Sequence, residues 1–164
     1  MSELNIREAT PEDAAACGEI AAEAWTPVRE SMRGYIGEDI YSLFGDRKEA
    51  KRQAVMGAVT DERISVLVTE VEGRVAGFIT YVMRTNENGV PYGDICNNAV
   101  DPSAGGKGIG TAQCAEVIER MKQEGVAYIQ VSTGLDESHA PARRMYEKTG
   151  FDRSFQHVTY YMKA

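Results

Sequence analysis

The sequence is poor in the residues that build disulfide frameworks and zinc sites. Its 164 residues include three cysteines and two histidines. Cys17, Cys96 and Cys114 are widely spaced, with no CxxC pair and no histidine pair nearby. Small secreted scaffolds and zinc modules need such clusters, so we expect reduced cysteines that pack as small apolar side chains, and no metal ion.

The sequence also lacks an excess of positive charge and any long apolar run. The formal net charge is −7, which excludes broad binding to nucleic acid or anionic membranes, because such binding needs many lysines and arginines. No run approaches the roughly eighteen apolar residues of a membrane-spanning helix. The start, residues 1–5, lacks the basic and apolar regions of a signal peptide. We therefore expect a cytoplasmic protein that holds any anionic ligand at a local site.

The hydrophobic content is 43%, which is ample for one core, and we predict a single domain over residues 1–164. A short strand is expected near residues 4–6. Thr10 and Pro11 then predict the capped start of a helix that continues to about Ala24. Helical segments are also expected between Pro27 and residue 60.

The rest of the chain alternates between β and helical patterns. Valine- and isoleucine-rich runs on either side of Glu72 and Gly73 predict a hairpin closed by a two-residue turn. A strand is expected at residues 92–100, a helix at 108–124, a strand in "AYIQVST", a helix ending at Gly150, and a last strand in "FDRSFQHVTYYMK". The predicted order is β-α-α-β-β-β-α-β-α-β. This order indicates an α/β (α+β) fold with a mixed central sheet and helices on both faces.

A glycine-rich loop separates the strand at 92–100 from the helix that follows. Its glycines are Gly105, Gly106, Gly108 and Gly110. A strand, glycine loop and helix in this order bring backbone N–H groups and the positive helix end toward an anion. The nucleotide P-loop pattern fails because a glycine follows Lys107, and the dinucleotide pattern fails because Gln113 occupies the third glycine position.

Two motifs of the chain resemble those of the GNAT N-acetyltransferases. "VDPSAGGKGIGTA" is similar to the family's acyl-coenzyme A loop, [R/Q]-x-x-G-x-[G/A], with Gly108 and Gly110 at the two small positions and Gly105 in place of Arg or Gln. "SHAPARRMYEKTGF" is similar to the family's last helix, N-x-x-A-x-x-x-Y-x-x-x-G-F, with His139 in place of Asn. The matching residues in that helix are Ala142, Tyr146, Gly150 and Phe151.

The resemblance implies a GNAT-like fold that uses acetyl-coenzyme A (acetyl-CoA) to acetylate a primary amine of a small molecule or peptide. Direct attack in a ternary complex is expected, because no cysteine lies in a recognisable nucleophile setting. A coenzyme A-binding module without turnover is the alternative, and a homodimer is left open. The implied cofactor contacts are Ala99, Val100, Gly105, Gly106, Lys107, Gly108, Ile109, Gly110, Thr111, His139, Ala142 and Tyr146.

The resemblance also implies catalytic roles. A main-chain N–H near Val100 is the implied partner of the thioester carbonyl, and Tyr146, with an ordinary pKa of about 10, is the implied acid for the departing thiolate. Asp94 is the candidate general base, and Asn97 is the candidate to orient a water molecule. Alternation along a regular strand puts these two residues on opposite faces, so both can serve only if a bulge lies between them.

The acceptor pocket is expected in the segment after the first helix. Trp25, Arg29 and Tyr35 offer aromatic walls and positive charge, which suit an acceptor that carries a carboxylate or phosphate. Glu23 is a weaker alternative for the general base. We expect His157 to be structural.

Overall fold

The computed structural model describes residues 4–164 and contains a five-stranded sheet. The described residues do not include Met1, Ser2 and Glu3. The expectation that the chain start is not a signal peptide depends partly on these three residues. The strands follow the sheet order β1-β2-β3-β4-β5, and each pair is antiparallel except β4 and β5, which are parallel. Their bounds are β1 Asn5–Glu8, β2 Ser65–Val71, β3 Arg74–Thr85, β4 Pro91–Val100 and β5 Tyr128–Val131.

Residues 4–164 also form six α-helices and four short 3-10 turns. The helices are α1 Ala14–Ala24, α2 Thr26–Ile36, α3 Glu38–Tyr41, α4 Arg47–Val59, α5 Ile109–Gln123 and α6 Ala140–Lys148. The turns are Pro11–Asp13, Ser42–Phe44, Pro102–Ala104 and Glu137–His139. Among residues 4–164, no helix combines the length and the apolar character needed to cross a membrane.

Local sequence signals explain several of these boundaries. Thr10 and Asp13 form a capping box ahead of α1, as the predicted cap requires. Val71 pairs with Arg74 across the predicted turn, where Glu72 and Gly73 have φ values of 51° and 75°. Positive φ at both central residues is the signature of a type I′ hairpin turn. The predicted hairpin is therefore confirmed.

The core has two main apolar layers, one on each face of the sheet. On one face, α1 and α4 pack on the middle strands through Cys17, Ile20, Ala21, Val55, Val68, Phe78 and Ala99. On the other face, α5 and α6 pack on the sheet through Leu67, Ile79, Tyr81, Ile95, Cys114, Val117, Ile118, Met121 and Tyr146. This arrangement confirms the predicted mixed sheet with helices on both faces.

Two expectations from the sequence are wrong. The last segment, residues 152–164, forms no strand and stays outside the sheet, so β5 is an edge strand. Residues with high β-propensity do not form a strand by themselves, because a strand needs a partner for its backbone N–H and C=O groups. Cys96 is exposed rather than packed, whereas Cys17 and Cys114 are buried.

Candidate active site

The glycine loop forms a short bridge between the end of β4 and the start of α5. Gly106 and Gly108 have φ values of 78° and 73°, a region that residues with a Cβ rarely adopt. The first backbone bond into the helix is donated by Ala112 to the carbonyl of Gly108. The N–H groups of the preceding first turn are therefore open, and no acidic residue lies in that turn. These features fit an anionic group such as a pyrophosphate.

Gly105 differs from the other glycines of the loop. Its φ is −58°, and a Cβ built there meets only the carbonyl oxygen of Pro102, at 3.5 Å. Nothing in the backbone requires glycine at this position. The loop therefore has room for a Cβ at this position.

The end of β4 has an open edge next to the loop. β5 pairs with β4 only from Tyr92 to Ile95, so β4 continues to Val100 with no neighbouring strand on that side among residues 4–164. The N–H of Asp101 donates to the carbonyl of Ala76 on the neighbouring strand β3, at 2.8 Å. Because N–H directions alternate along a strand, the N–H of Val100 points toward the open edge. The start of α5 lies alongside, since a Cβ on Gly110 would be 3.6 Å from the Val100 side chain.

A buried glutamine joins this helix to the sheet, and the sequence reasoning missed it. The Gln113 side-chain amide donates to the Phe78 carbonyl (3.1 Å), to Asn98 Oδ1 (2.8 Å) and to the Ala99 carbonyl (3.4 Å). Asn98 in turn donates to the Gly110 carbonyl at 3.1 Å. This network holds the helix start against β4. The available signal was a polar residue on the otherwise apolar stripe of the helix.

A bulge lies between the two predicted polar residues of β4. Thr80 pairs with Asn97 but Tyr81 pairs with Ile95, so Cys96 is the extra residue. The bulge puts Asp94 and Asn97 on the same face of the sheet. The predicted roles of these residues, general base and orientation of a water molecule, require such a bulge. Asp94, however, is paired with Arg84, at 3.1 Å.

Tyr146 lies in the apolar layer between α5, α6 and the sheet. Its ring makes an edge contact with Phe151, with centroids 5.7 Å apart. Burial raises the pKa of Tyr146 to about 12, with a further contribution from Cys114. The hydroxyl therefore stays protonated at neutral pH, and among residues 4–164 it has no hydrogen-bond partner.

His139 and Ala142 lie at the start of α6, where His139 belongs to a polar network. His139 Nδ1 is 2.5 Å from Asp136 Oδ1, and Asp136 also accepts from Ser31 of α2 at 2.7 Å. Burial opposes ionisation of Asp136, but hydrogen bonds from Ser138, Ser31 and His139 hold the pKa of this carboxyl well below its usual range. The network ties α6 to α2, so His139 connects the cofactor side to the segment predicted to bind the acceptor.

The predicted acceptor residues fall in different settings. Trp25 follows α1 and packs against the layer formed with α4. Arg29 donates to the Ala22 carbonyl (2.7 Å) and to Thr26 Oγ1 (2.8 Å), which fastens α2 to α1. Tyr35 is 78% exposed. Among these three, Trp25 is the residue beside the polar part of β4.

Lys51 of α4 is a second residue that the sequence reasoning missed. Its ammonium lies 3.8 Å from the centre of the Trp25 ring and donates to Asn97 Oδ1 at 2.6 Å. Asn97 donates in turn to Thr80 Oγ1 at 2.8 Å. The contact joins residues far apart in the chain, and no local pattern around Lys51 predicted it.

The site combines the open β4 edge at Val100 with the anion cradle, defined as the glycine loop 105–110 and the start of α5, and with α6, which carries Tyr146. The sequence of this region matches one family model. Residues 28–151 match the model described as the acetyltransferase (GNAT) family. The chain belongs to the GNAT family. The match contains both motifs that carried the resemblance, and acetyltransferases of this family use acetyl-CoA.

Two curated relatives share parts of their length with this GNAT chain. One is the S-(2-succino)cysteine N-acetyltransferase of Bacillus subtilis (strain 168), 36% identical over 104 residues, which are 58% of this chain and 63% of the relative. The other is the mycothiol acetyltransferase of Saccharomonospora viridis, 34% identical over 116 residues, which are 68% of this chain and 37% of the relative. The chain thus spans less than two thirds of either relative.

The GNAT fold also appears in solved structures over nearly the whole chain. The F44R mutant of the BH1408 protein from Bacillus halodurans aligns with a TM-score of 0.74 and 22% identity, covering 97% of this chain and 99% of that chain. At this identity the similarity supports the fold alone.

Proposed function

We propose that residues 1–164 are one N-acetyltransferase domain that moves the acetyl group of acetyl-CoA to a primary amine of a small molecule or peptide. Direct attack in a ternary complex is the proposed route. The observation that carries the proposal is the open β4 edge at Val100, which lies directly beside the anion cradle of the glycine loop.

In this proposal the chain holds the cofactor mainly through its backbone. The open N–H groups at Ile109, Gly110 and Thr111 and the positive end of α5 receive the pyrophosphate. Lys107 supplies the positive side chain of the loop for the pyrophosphate, because Gly105 stands where the family motif has Arg or Gln. His139 and Ala142 then border the cofactor from the α6 side. Acetyl-CoA supplies a thioester that is already activated for attack by an amine.

The remaining groups serve the acyl transfer. The Val100 N–H donates a hydrogen bond toward the reacting carbonyl, a role that becomes stronger as negative charge develops on its oxygen. Tyr146 donates a hydrogen bond to the departing sulfur, because its raised pKa keeps the phenol protonated. Asp94 and Asn97, now on one face, orient the water that takes up the amine proton. The Asp94 carboxylate also contacts Arg84 at 3.1 Å.

The acceptor is proposed to be a small-molecule amine. The two relatives are named for S-(2-succino)cysteine and for mycothiol, so cysteine S-conjugates with a free amine are the first compounds to test. A coenzyme A-binding module without turnover is the alternative. The transferase names of the relatives favour turnover.

A thiol-release assay with acetyl-CoA and a panel of amines tests the activity. We expect saturable thiol release with at least one cysteine S-conjugate, and the acetylated product by mass spectrometry. Saturable coenzyme A binding by calorimetry, together with no thiol release for any amine, would contradict the proposed enzyme and support the binding module.

We also propose that the protein forms a homodimer through its last segment, the tail, defined as residues 152–164. The tail exposes large apolar side chains, with Phe155 95%, Tyr160 88% and Met162 89% exposed. Within its own chain the tail lies beside Asp39 and Phe44 rather than along β5. β5 meanwhile presents an unpaired strand edge.

A second copy of the chain is the partner that satisfies both features together. Every copy carries one tail and one β5 edge, so a two-fold arrangement pairs each tail with the partner's edge at the same time. The tail also has the composition for this, because its valine, threonine and tyrosine residues favour extended pairing.

The free state of all three cysteines is consistent with a reducing compartment, and we propose a cytoplasmic location.

A further inference from the structure

Lys51 has no acidic partner among residues 4–164, unlike Lys48 and Arg52 of the same helix. Lys48 pairs with Glu23 at 2.6 Å, and Arg52 pairs with Glu19 at 2.8 Å. Within residues 4–164, no carboxylate lies within ion-pair distance of the Lys51 ammonium. This cation therefore keeps a net positive charge that the chain itself does not neutralise.

The surroundings of Lys51 stabilise its charge only in part. The Trp25 ring face and the Asn97 amide oxygen, at 3.8 Å and 2.6 Å, both attract an ammonium group. Neither carries a formal charge, and partial burial disfavours an unpaired ion. Burial lowers the pKa of Lys51 to about 8. An anion at this place would complete the site.

The position of Lys51 relates this unpaired charge to the proposed reaction. Asn97, which accepts from Lys51, lies on β4 three residues before Val100 and beyond the last β5 pair. The bulge at Cys96 also brings Asp94 to the same face. Lys51 thus reaches the sheet where the proposed acceptor amine must approach the open edge, on the face opposite Tyr146.

We propose that Lys51, Trp25 and Asn97 form a subsite for a carboxylate of the acceptor. This inference rests on the proposed acetyl transfer and defines its acceptor class: amines that carry a carboxylate close to the amino group, such as amino acids and their S-conjugates. A single ammonium with an aromatic wall suits one carboxylate, since a phosphate group takes more donors than this subsite offers. Lys51 is a positioning residue for the acceptor rather than a catalytic residue.

A pair of acceptors that differ only in the carboxylate provides the test. S-Methylcysteine and S-methylcysteamine carry the same amine and the same thioether, but only the first has the carboxylate. For Lys51→Met we expect kcat/KM to fall roughly 10- to 100-fold with S-methylcysteine, as for loss of a hydrogen bond to a charged group, and less than about threefold with S-methylcysteamine. Most of the loss should appear in KM, and Lys51→Arg should recover part of it.

The control is Lys48→Met, which removes a lysine one turn away on the same helix. It should leave kcat/KM for both acceptors unchanged, because Lys48 is paired with Glu23 outside the subsite. Calorimetric titration of S-methylcysteine into the wild-type protein and Lys51→Met, both with coenzyme A, gives a second readout that needs no turnover.

The outcomes separate this inference from the proposed function. An equal loss for both acceptors, or unchanged S-methylcysteine binding in Lys51→Met, overturns the carboxylate subsite even if the protein is an acetyltransferase. Absence of turnover with every amine contradicts the proposed function instead. In that case, S-methylcysteine binding that depends on Lys51 still supports the subsite, and no binding to the wild-type protein overturns it.

Discussion

At the scale of single residues, the site depends on side chains whose surroundings change their chemistry. Tyr146 lies in an apolar layer that keeps its hydroxyl protonated, whereas Asp94 is on the opposite face and is paired with Arg84. Neither setting can be inferred from residue type. Burial raises the pKa of Tyr146 to about 12, so the protonated hydroxyl is suited to donating a hydrogen bond but is a weaker acid than an exposed tyrosine.

Replacement of Tyr146 by Phe tests this role. We expect kcat to fall by roughly 100-fold, within the range for loss of a general acid, while the dissociation constant for coenzyme A changes less than about threefold. The ring contact with Phe151 remains, so the melting temperature should stay close to that of the wild type. Steady-state thiol release, calorimetry and thermal unfolding measure the three quantities. An unchanged kcat would remove Tyr146 from the mechanism.

At the scale of elements, the glycine loop works through backbone conformation more than through side chains. Gly106 and Gly108 hold left-handed φ values immediately before α5, and this backbone conformation leads directly into the first turn of the helix. Gly105 has an ordinary φ and space for a Cβ. Adjacent glycines of one loop therefore differ in what they require.

The contrast gives a matched pair of substitutions. Gly108→Ala should lower the free energy of unfolding by about 1–2 kcal/mol, because alanine is disfavoured at a φ of 73°. It should also weaken coenzyme A binding roughly tenfold, since a shifted loop misdirects its N–H groups. Gly105→Ala should leave the melting temperature unchanged. Thermal unfolding and calorimetry compare the two, and equal destabilisation by both would contradict the conformational argument.

At the scale of the whole molecule, the tail has exposed apolar side chains and β5 has an unpaired strand edge. Five large apolar side chains of residues 152–164 are exposed, although Tyr161 of this segment makes an edge contact with Phe44. Exposed apolar area and an open strand edge both favour association. A homodimer with exchanged tails removes both from water at once.

A proline in the tail tests the proposed pairing. The wild-type protein should sediment as a dimer at micromolar concentration, and Val158→Pro should be monomeric, because proline cannot donate a strand hydrogen bond. Val158→Ile keeps the backbone donor and the apolar side chain, so it should remain a dimer. Circular dichroism checks that both variants fold. A monomeric wild-type protein, or a dimeric Val158→Pro, would contradict the exchanged tail.

Much of the fold could be predicted from the sequence because its signals are local. The capping box at Thr10, the turn at Glu72 and Gly73, and the helix that ends before Gly125 each depend on residues within a few positions of one another. The glycine loop and the tyrosine helix likewise carry their spacing in the sequence. These signals determined the family and the order of the elements from β2 to α6, whereas between β1 and β2 the structure has four α-helices and the predicted order has two.

Only the tertiary structure decided the features that join distant parts of the chain. The bulge at Cys96 exists through pairing with β3, and the Lys51 contact with Trp25 and Asn97 needs α4 packed on the sheet. The tail has a strand-like sequence but no strand in its own chain, since a strand exists only with a partner edge. Hydrogen-bond register and packing are properties of pairs, so a single stretch of sequence does not contain them.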